Sequence, residues 1–376
     1  MERLGRGQWY YRNLLLLGSL LSAGNVVDYF ITHTEKLVVI YLLPRWDTRK
    51  NFVEIYEYGE LKKRYELFSP KIIFFQYPVF FFQYVKTLFS CFHKNEHFFV
   101  ITYHPLLFFF KSIIRHFRSY DMVFWIADYF PKPNFFLKLY QGCIPFFHRR
   151  NTYNIYLTDR INKVMNKGVA KNSYTSRTIM WGVKAPKTYK KVLPKDSITL
   201  FYHGVIRDEH GIELLLDLPK NDRKIKLKIL GRCDDVLYKK YTEIIKNSKI
   251  TDRVYLPNRY VSLQELEKEA KGCLAAAVLY KVSKNNFTFY ADPGKVKTYA
   301  QLGLPIIVTK GSEVGEYIQK YKAGEIIERD LGSLTKAVYA IADNYQSYIN
   351  GLKKFNNYFN IEKYYKRNFA FIEEKQ

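Results

Sequence analysis

Tyr290–Thr309, YADPGKVKTYAQLGLPIIVT, orders the rest of the chain. It reads as a loop, a short helix opened by Asp-Pro-Gly-Lys, a stop at Gly303 and a buried strand. Pro293 suits a first helical turn, where its missing N–H needs no partner. Gly294 lets the backbone approach a ligand closely. Lys295 adds charge to a helix end that already carries about half a positive charge from aligned peptide dipoles. Such an end accepts phosphate. Leu304-Pro-Ile-Ile-Val-Thr309 is too apolar for a strand with one solvated face. The stretch can hold a diphosphate; it can equally be an ordinary helix–strand unit with a good C-cap.

Working outward, the second half of the chain alternates strand and helix. Strands are expected at 197–206, 225–230, 253–256, 273–279 and 324–327. Helices are expected at 211–218, 234–248, 262–271 and 312–322. Ser262 followed by Glu265 is a capping-box pattern. Short apolar strands alternating with amphipathic helices specify a parallel sheet covered on both faces. The first half keeps this rhythm less cleanly, with strands expected at 13–17, 37–43, 52–56, 98–103, 122–127, 154–157 and 177–181. Aromatic-rich helices are expected at 72–92 and 106–119. Lys-rich 186–194, bounded by prolines, is the expected linker.

Residues 290–307 resemble the nucleotide-sugar site of GT-B glycosyltransferases, in particular the large retaining family of bacterial polysaccharide and lipid-sugar transferases. Asp292, Pro293, Gly294, Lys295, Tyr299, Ala300, Gly303, Pro305, Ile306 and Ile307 fit that family's pattern. Its two glutamates, eight residues apart, are replaced here by Tyr290 and Thr298. The resemblance implies an α/β protein of GT-B plan: two Rossmann-like domains facing a central cleft, with a C-terminal helix crossing back to the first. The expected boundaries are 1–185 for the acceptor domain, 195–350 for the donor domain and 351–376 for the returning segment. The resemblance also implies that Gly204 and Arg207, in Phe201-Tyr-His-Gly-Val-Ile-Arg207, border the diphosphate. Val205 and His210 occupy positions that are basic in the family. Leu256-Pro-Asn-Arg-Tyr260 falls where the family reads the nucleotide base, and Thr298 where it holds the ribose.

Ligands of open α/β sheets bind beyond the carboxyl ends of the strands. Tyr280 and Lys281 end one such strand, and Lys281 suits phosphate or an acidic sugar. Asp292 either contacts sugar hydroxyls or caps its helix. In the first domain, His104 follows a strand and is either a general base or a structural histidine. Asp128 ends the buried strand Phe124-Trp-Ile-Ala and precedes Tyr-Phe-Pro131. There it either accepts the proton that glycosyl transfer removes from the acceptor hydroxyl or caps a turn. Gly18 resembles the glycine turn that borders the acceptor.

The net charge of +25 calls for an anionic partner. Nucleic acid is not expected, because no nucleic-acid motif accompanies the charge. Aromatic and basic runs at 74–82 and 108–118 suggest an anionic membrane face, with buried core as the alternative. Asn13–Ala23 is too short to span a bilayer. The four cysteines, Cys91, Cys143, Cys233 and Cys273, lie far apart and form no metal-ligand spacing. The expectation is therefore a cytoplasmic glycosyltransferase, peripheral on the inner membrane face. It would use a nucleoside-diphosphate sugar and a glycan or lipid-linked acceptor, with no metal or other cofactor. An inverting glucuronosyltransferase-like enzyme and a non-catalytic GT-B binding protein are the alternatives.

Overall fold

The computed structural model describes residues 9–43, 50–70, 73–103, 119–148, 153–166, 175–184 and 197–375. His104, the run 108–118, all but the last residue of the expected helix over 106–119 and the linker 186–194 lie outside the described residues. The chain divides into two compact units, Met1–Gly182 with Ile361–Gln376, and Val183–Asn360.

Among the described residues, the first unit's sheet comprises β1 (Tyr11–Leu17), β2 (Thr34–Tyr41), β3 (Phe52–Glu57), β4 (Glu60–Glu66), β5 (Phe98–Thr102), β6 (Tyr120–Ile126), β7 (Tyr153–Tyr156) and β8 (Thr175–Thr178). The strand order is β4-β3-β2-β1-β5-β6-β7-β8. Neighbours from β2 to β8 are parallel. β3 is antiparallel to both β2 and β4, where sequence rhythm predicts parallel strands throughout. Tyr58 (φ 50°) and Gly59 (φ 77°) explain the β3–β4 pairing. Two consecutive left-handed residues make the tight turn that folds a strand straight back on its neighbour. β4, Glu-Leu-Lys-Lys-Arg-Tyr-Glu, is mostly exposed and charged, which protects this sheet edge from pairing further.

Strand order reverses between β1 and β5, the usual place for a site. Gly18 follows β1 directly and opens the short helix Gly18–Leu21. A Cβ on Gly18 would lie 2.4 Å from Val39 Cγ1, so glycine lets this helix sit tightly on β2. The final helix, Ile361–Glu373, belongs to this unit. Gly182 N–H donates to Tyr365 Oη (2.6 Å), and the Tyr365 hydroxyl donates to Gly24 O (2.5 Å). Phe369 packs against Phe30 and Trp125.

The second unit's sheet comprises β9 (Ile198–His203), β10 (Ile225–Leu230), β11 (Val254–Tyr255), β12 (Ala275–Val278), β13 (Ile306–Thr309) and β14 (Gly324–Ile327). Its order is β11-β10-β9-β12-β13-β14, all parallel. β12 and β13 are wholly buried, in keeping with their unbroken apolar sequence. Ser262 caps its helix by accepting from Glu265 N–H at 3.2 Å. Strand order reverses here between β9 and β12. Residues 351–360 belong to this unit rather than to the returning segment. Tyr345–Tyr358 is one continuous helix that buries Ile349, Leu352 and Phe355, and Asn356 Nδ2 donates to Ala300 O at 2.9 Å.

Candidate functional site

The second unit's reversal point is built by close backbone approach. β9 ends at Gly204, whose φ of 106° is left-handed. A side chain there would be strained and would also meet Lys295 Cε at 2.9 Å. At the end of β10, a Cβ on Gly231 would lie 2.0 Å from Gly204 O. Tyr299 fixes the turn from below, its hydroxyl accepting from His203 N–H at 3.0 Å.

Lys295 lies on the helix Gly294–Gln301, whose N-terminus is capped by Pro293 without a side-chain bond. Its Nζ donates to Tyr202 Oη and to Val205 O (3.2 Å) and lies 3.4 Å from His210 Nδ1. It also stands 4.3 Å from the Tyr202 ring centroid and 5.4 Å from that of Tyr280. Among the described residues, no carboxylate forms an ion pair with it. Desolvation, then the nearby Arg207 charge, lower its pKa to about 7, with Glu209 opposing. Burial, then the Lys295 charge, lower both His203 and His210 to about 3, so both rings are neutral. The result is one cation held by neutral groups at the start of a helix, an arrangement that accepts an anion.

Around this point, Arg207, Lys281 and Tyr260 are exposed, Tyr260 at 54%. Lys281 N–H donates to Glu209 O at 3.1 Å, which ties the β12 end to the Gly204 loop while leaving the side chain outward. The Arg232 guanidinium lies 5.8 Å from the Tyr260 ring. Gly294, the first helical residue, has open space where a Cβ would stand.

Asp292 stands just before this helix with its carboxylate turned to Lys297. Both oxygens accept from Lys297 Nζ at 2.9 Å, and the pair is buried. Lys297 also lies 4.3 Å from the Phe359 ring centroid. Burial lowers the Lys297 pKa, and the Asp292 carboxylate opposes that shift. Thr298 is half-buried, its Oγ1 donating back to Gly294 O at 3.3 Å. Tyr290 Oη donates to Lys284 O at 3.4 Å. No carboxylate therefore stands at either position where the resembled pattern has glutamate.

In the first unit, Asp128 follows β6 and is exposed. Desolvation nevertheless raises its carboxyl above the usual range. Gly18 sits at this unit's reversal point, and His104 is outside the described residues. Among the described residues, no three His, Cys, Asp or Glu side chains converge to hold a metal ion.

Sequence reasoning missed Tyr202, Tyr280 as a partner of Lys295, and Lys297; it had Tyr299 as a match to the resembled pattern but not its bond to the turn. One signal was available for Tyr202: an aromatic residue two positions before a turn glycine, at the end of a central strand.

No family model and no curated protein matches the chain. Solved structures do. Sucrose-phosphate synthase from Thermosynechococcus elongatus superposes with a TM-score of 0.69 at 12% identity, over 97% of this chain and 98% of the other. Anabaena HepE in complex with UDP gives 0.66 at 10% identity, over 97% and 100%. An E. coli trehalose-6-phosphate structure bound with UDP-2-fluoro glucose gives 0.62 at 12%, over 96% and 99%. The fold is GT-B. At such identities the likeness establishes the GT-B architecture, and chemistry has to be argued from this chain's own residues.

Proposed function

We propose that the chain is a glycosyltransferase that moves a sugar from a nucleoside diphosphate to a glycan or lipid-linked acceptor. The observation that carries this reading is the Lys295 ammonium. It has no carboxylate partner among the described residues and sits at the Gly204 turn, at the reversal point of a GT-B sheet. UDP and UDP-sugar complexes of similarly folded proteins support the donor class. Lys295, Arg207 and the N-terminus of helix Gly294–Gln301 neutralise the diphosphate as it leaves, without requiring a metal.

The first unit supplies Asp128. In the proposed step its carboxylate takes the acceptor hydroxyl proton, and that oxygen bonds to the anomeric carbon. The bond from that carbon to the diphosphate oxygen breaks, and its electrons go to the diphosphate. We favour inversion of configuration, because Asp292 is committed to Lys297 and Tyr290 and Thr298 replace the glutamates. Asp128→Asn is expected to slow transfer by about a hundredfold with UDP affinity unchanged. A calorimetric screen of nucleotide sugars, followed by NMR of the product anomer, tests the reading. Binding of none of them would refute it, and a retained anomer would refute the inverting step.

Lys295 sets the pH dependence. Its charged form binds the diphosphate, so affinity is high below its pKa of about 7 and is lost as pH rises through it. UDP affinity is expected to fall about fivefold from pH 7 to 8, a range in which the terminal phosphate is already dianionic. Lys295→Met should flatten that profile.

The proposed location is peripheral, on the inner membrane face. Among the described residues, no helix is long and apolar enough to cross a membrane. Helix Ile73–Cys91 buries Tyr84 and Leu88, which follow the aromatic run, and turns Pro78, Phe82, Lys86 and Phe89 outward; of the run's described residues, Pro78 and Phe82 are exposed and Val79, Phe80 and Phe81 half-buried. Phe82 and Phe135 are each 69% exposed, and Lys86 and Lys138 lie on the same exposed stripes. Aromatics with lysines suit an anionic headgroup layer. Flotation with phosphatidylglycerol vesicles should carry the protein upward, and Phe82→Ser with Phe135→Ser should leave it at the bottom.

A further inference from the structure

We propose that Tyr202, His210 and Tyr280 are positioning residues, a cage of rings that holds the Lys295 ammonium ready for the β-phosphate. The inference rests on the donor-site reading above and deepens it. A lysine is a flexible four-carbon stem, and fixing it costs rotamer freedom. A site that fixes it before the ligand arrives recovers that loss as affinity.

Each ring has its own anchor. Tyr202 stands on β9, gives Lys295 its hydroxyl as acceptor and its face as a cation–π surface, and donates to Val205 O at 3.1 Å. Tyr280 follows β12, and its carbonyl accepts from Thr309 Oγ1 at 2.7 Å. Its ring stacks on His210 with centroids 4.6 Å apart and planes 26° apart. His210 Nδ1 lies 3.0 Å from Val205 O. Nδ1 also lies 3.0 Å from Tyr202 Oη; a carbonyl oxygen only accepts, so we assign the histidine proton to Nδ1, shared between Val205 O and Tyr202 Oη. The same carbonyl accepts from Lys295. Val205 O therefore ties lysine, tyrosine and histidine to one backbone point in the turn.

The electrostatics agree with this assignment. A charged imidazolium beside Lys295 would repel it and add a second cation. Neutral His210 leaves Lys295 as the cation while keeping the ring as a wall. The charged groups that act on Lys295 are Arg207 and Glu209, both on the Gly204 loop. At position 210, where the resembled pattern is basic, this chain thus has a residue that acts through Lys295 rather than on phosphate.

UDP calorimetry at pH 6.5 tests this as a mutant cycle. His210→Leu is expected to lose about tenfold in affinity in the wild-type background and nothing further in Lys295→Met. His210→Asn, which keeps a donor near Nδ1, should restore most of the loss. Tyr202→Phe keeps ring and volume and supplies the same comparison if the leucine variant does not fold. Equal losses in both backgrounds, or an asparagine variant as weak as leucine at unchanged melting temperature, overturn the cage. Unchanged affinity in Lys295→Met overturns the cage and the donor-site reading together. Loss in Lys295→Met with no effect of the ring variants overturns the cage alone.

Discussion

Lys295→Ala is expected to lower UDP affinity by about a hundredfold or more, with little change in melting temperature. The two parts of this result share one cause. The ammonium lies among neutral groups, and truncating one partner of a buried, hydrogen-bonded charge pair costs about 2–5 kcal/mol of binding. The folded chain gains little from the same charge. Desolvation lowers Lys295 from its ordinary value, so burial penalises the cation and removing it relieves that penalty. Calorimetry gives the affinity and a melting scan the stability. A large drop in both would mean that Lys295 is mainly a structural residue.

Asp292→Ala should do the reverse. It leaves the Lys297 ammonium buried without its carboxylate, 3% exposed, against the Phe359 ring. Breaking a buried pair in this way costs about 3–5 kcal/mol. For a unit of this size that lowers the melting temperature by roughly 10 °C. The loss should shrink at high pH, where Lys297 can shed its proton, since burial already lowers its pKa. Asp292→Ala combined with Lys297→Met should regain most of the stability, because the unpaired ammonium is then gone as well. Folded Asp292→Ala protein should still bind UDP. Lost binding at normal stability would instead make Asp292 a donor ligand.

These two lysines, two residues apart on one helix, show what the sequence makes legible. Asp-Pro-Gly-Lys, Gly303 and the apolar strand after it identify the helix–strand unit and its phosphate-accepting end, because local chemistry specifies them. Gly204 is legible for the same reason: a glycine closing a buried strand announces a left-handed turn. What Asp292 touches is not legible. A carboxylate before a helix looks like a cap or a ligand, and only the register of one helical turn brings Lys297 onto it. The Lys295 cage is likewise non-local. Tyr202, His210 and Tyr280 come from a strand, a loop and another strand end, and only the parallel order β9-β12 brings them together. β4 was missed for another reason: a charged edge strand carries no apolar period, and its evidence lies in the Tyr58-Gly59 turn.

The central claim is that the second unit receives a nucleoside diphosphate at the Gly204 turn. A crystal structure with UDP tests it most directly. The account predicts a β-phosphate oxygen about 2.7–3.2 Å from Lys295 Nζ, in front of the N-terminus of helix Gly294–Gln301. UDP bound elsewhere on the protein, or a phosphate out of reach of Lys295, would contradict it.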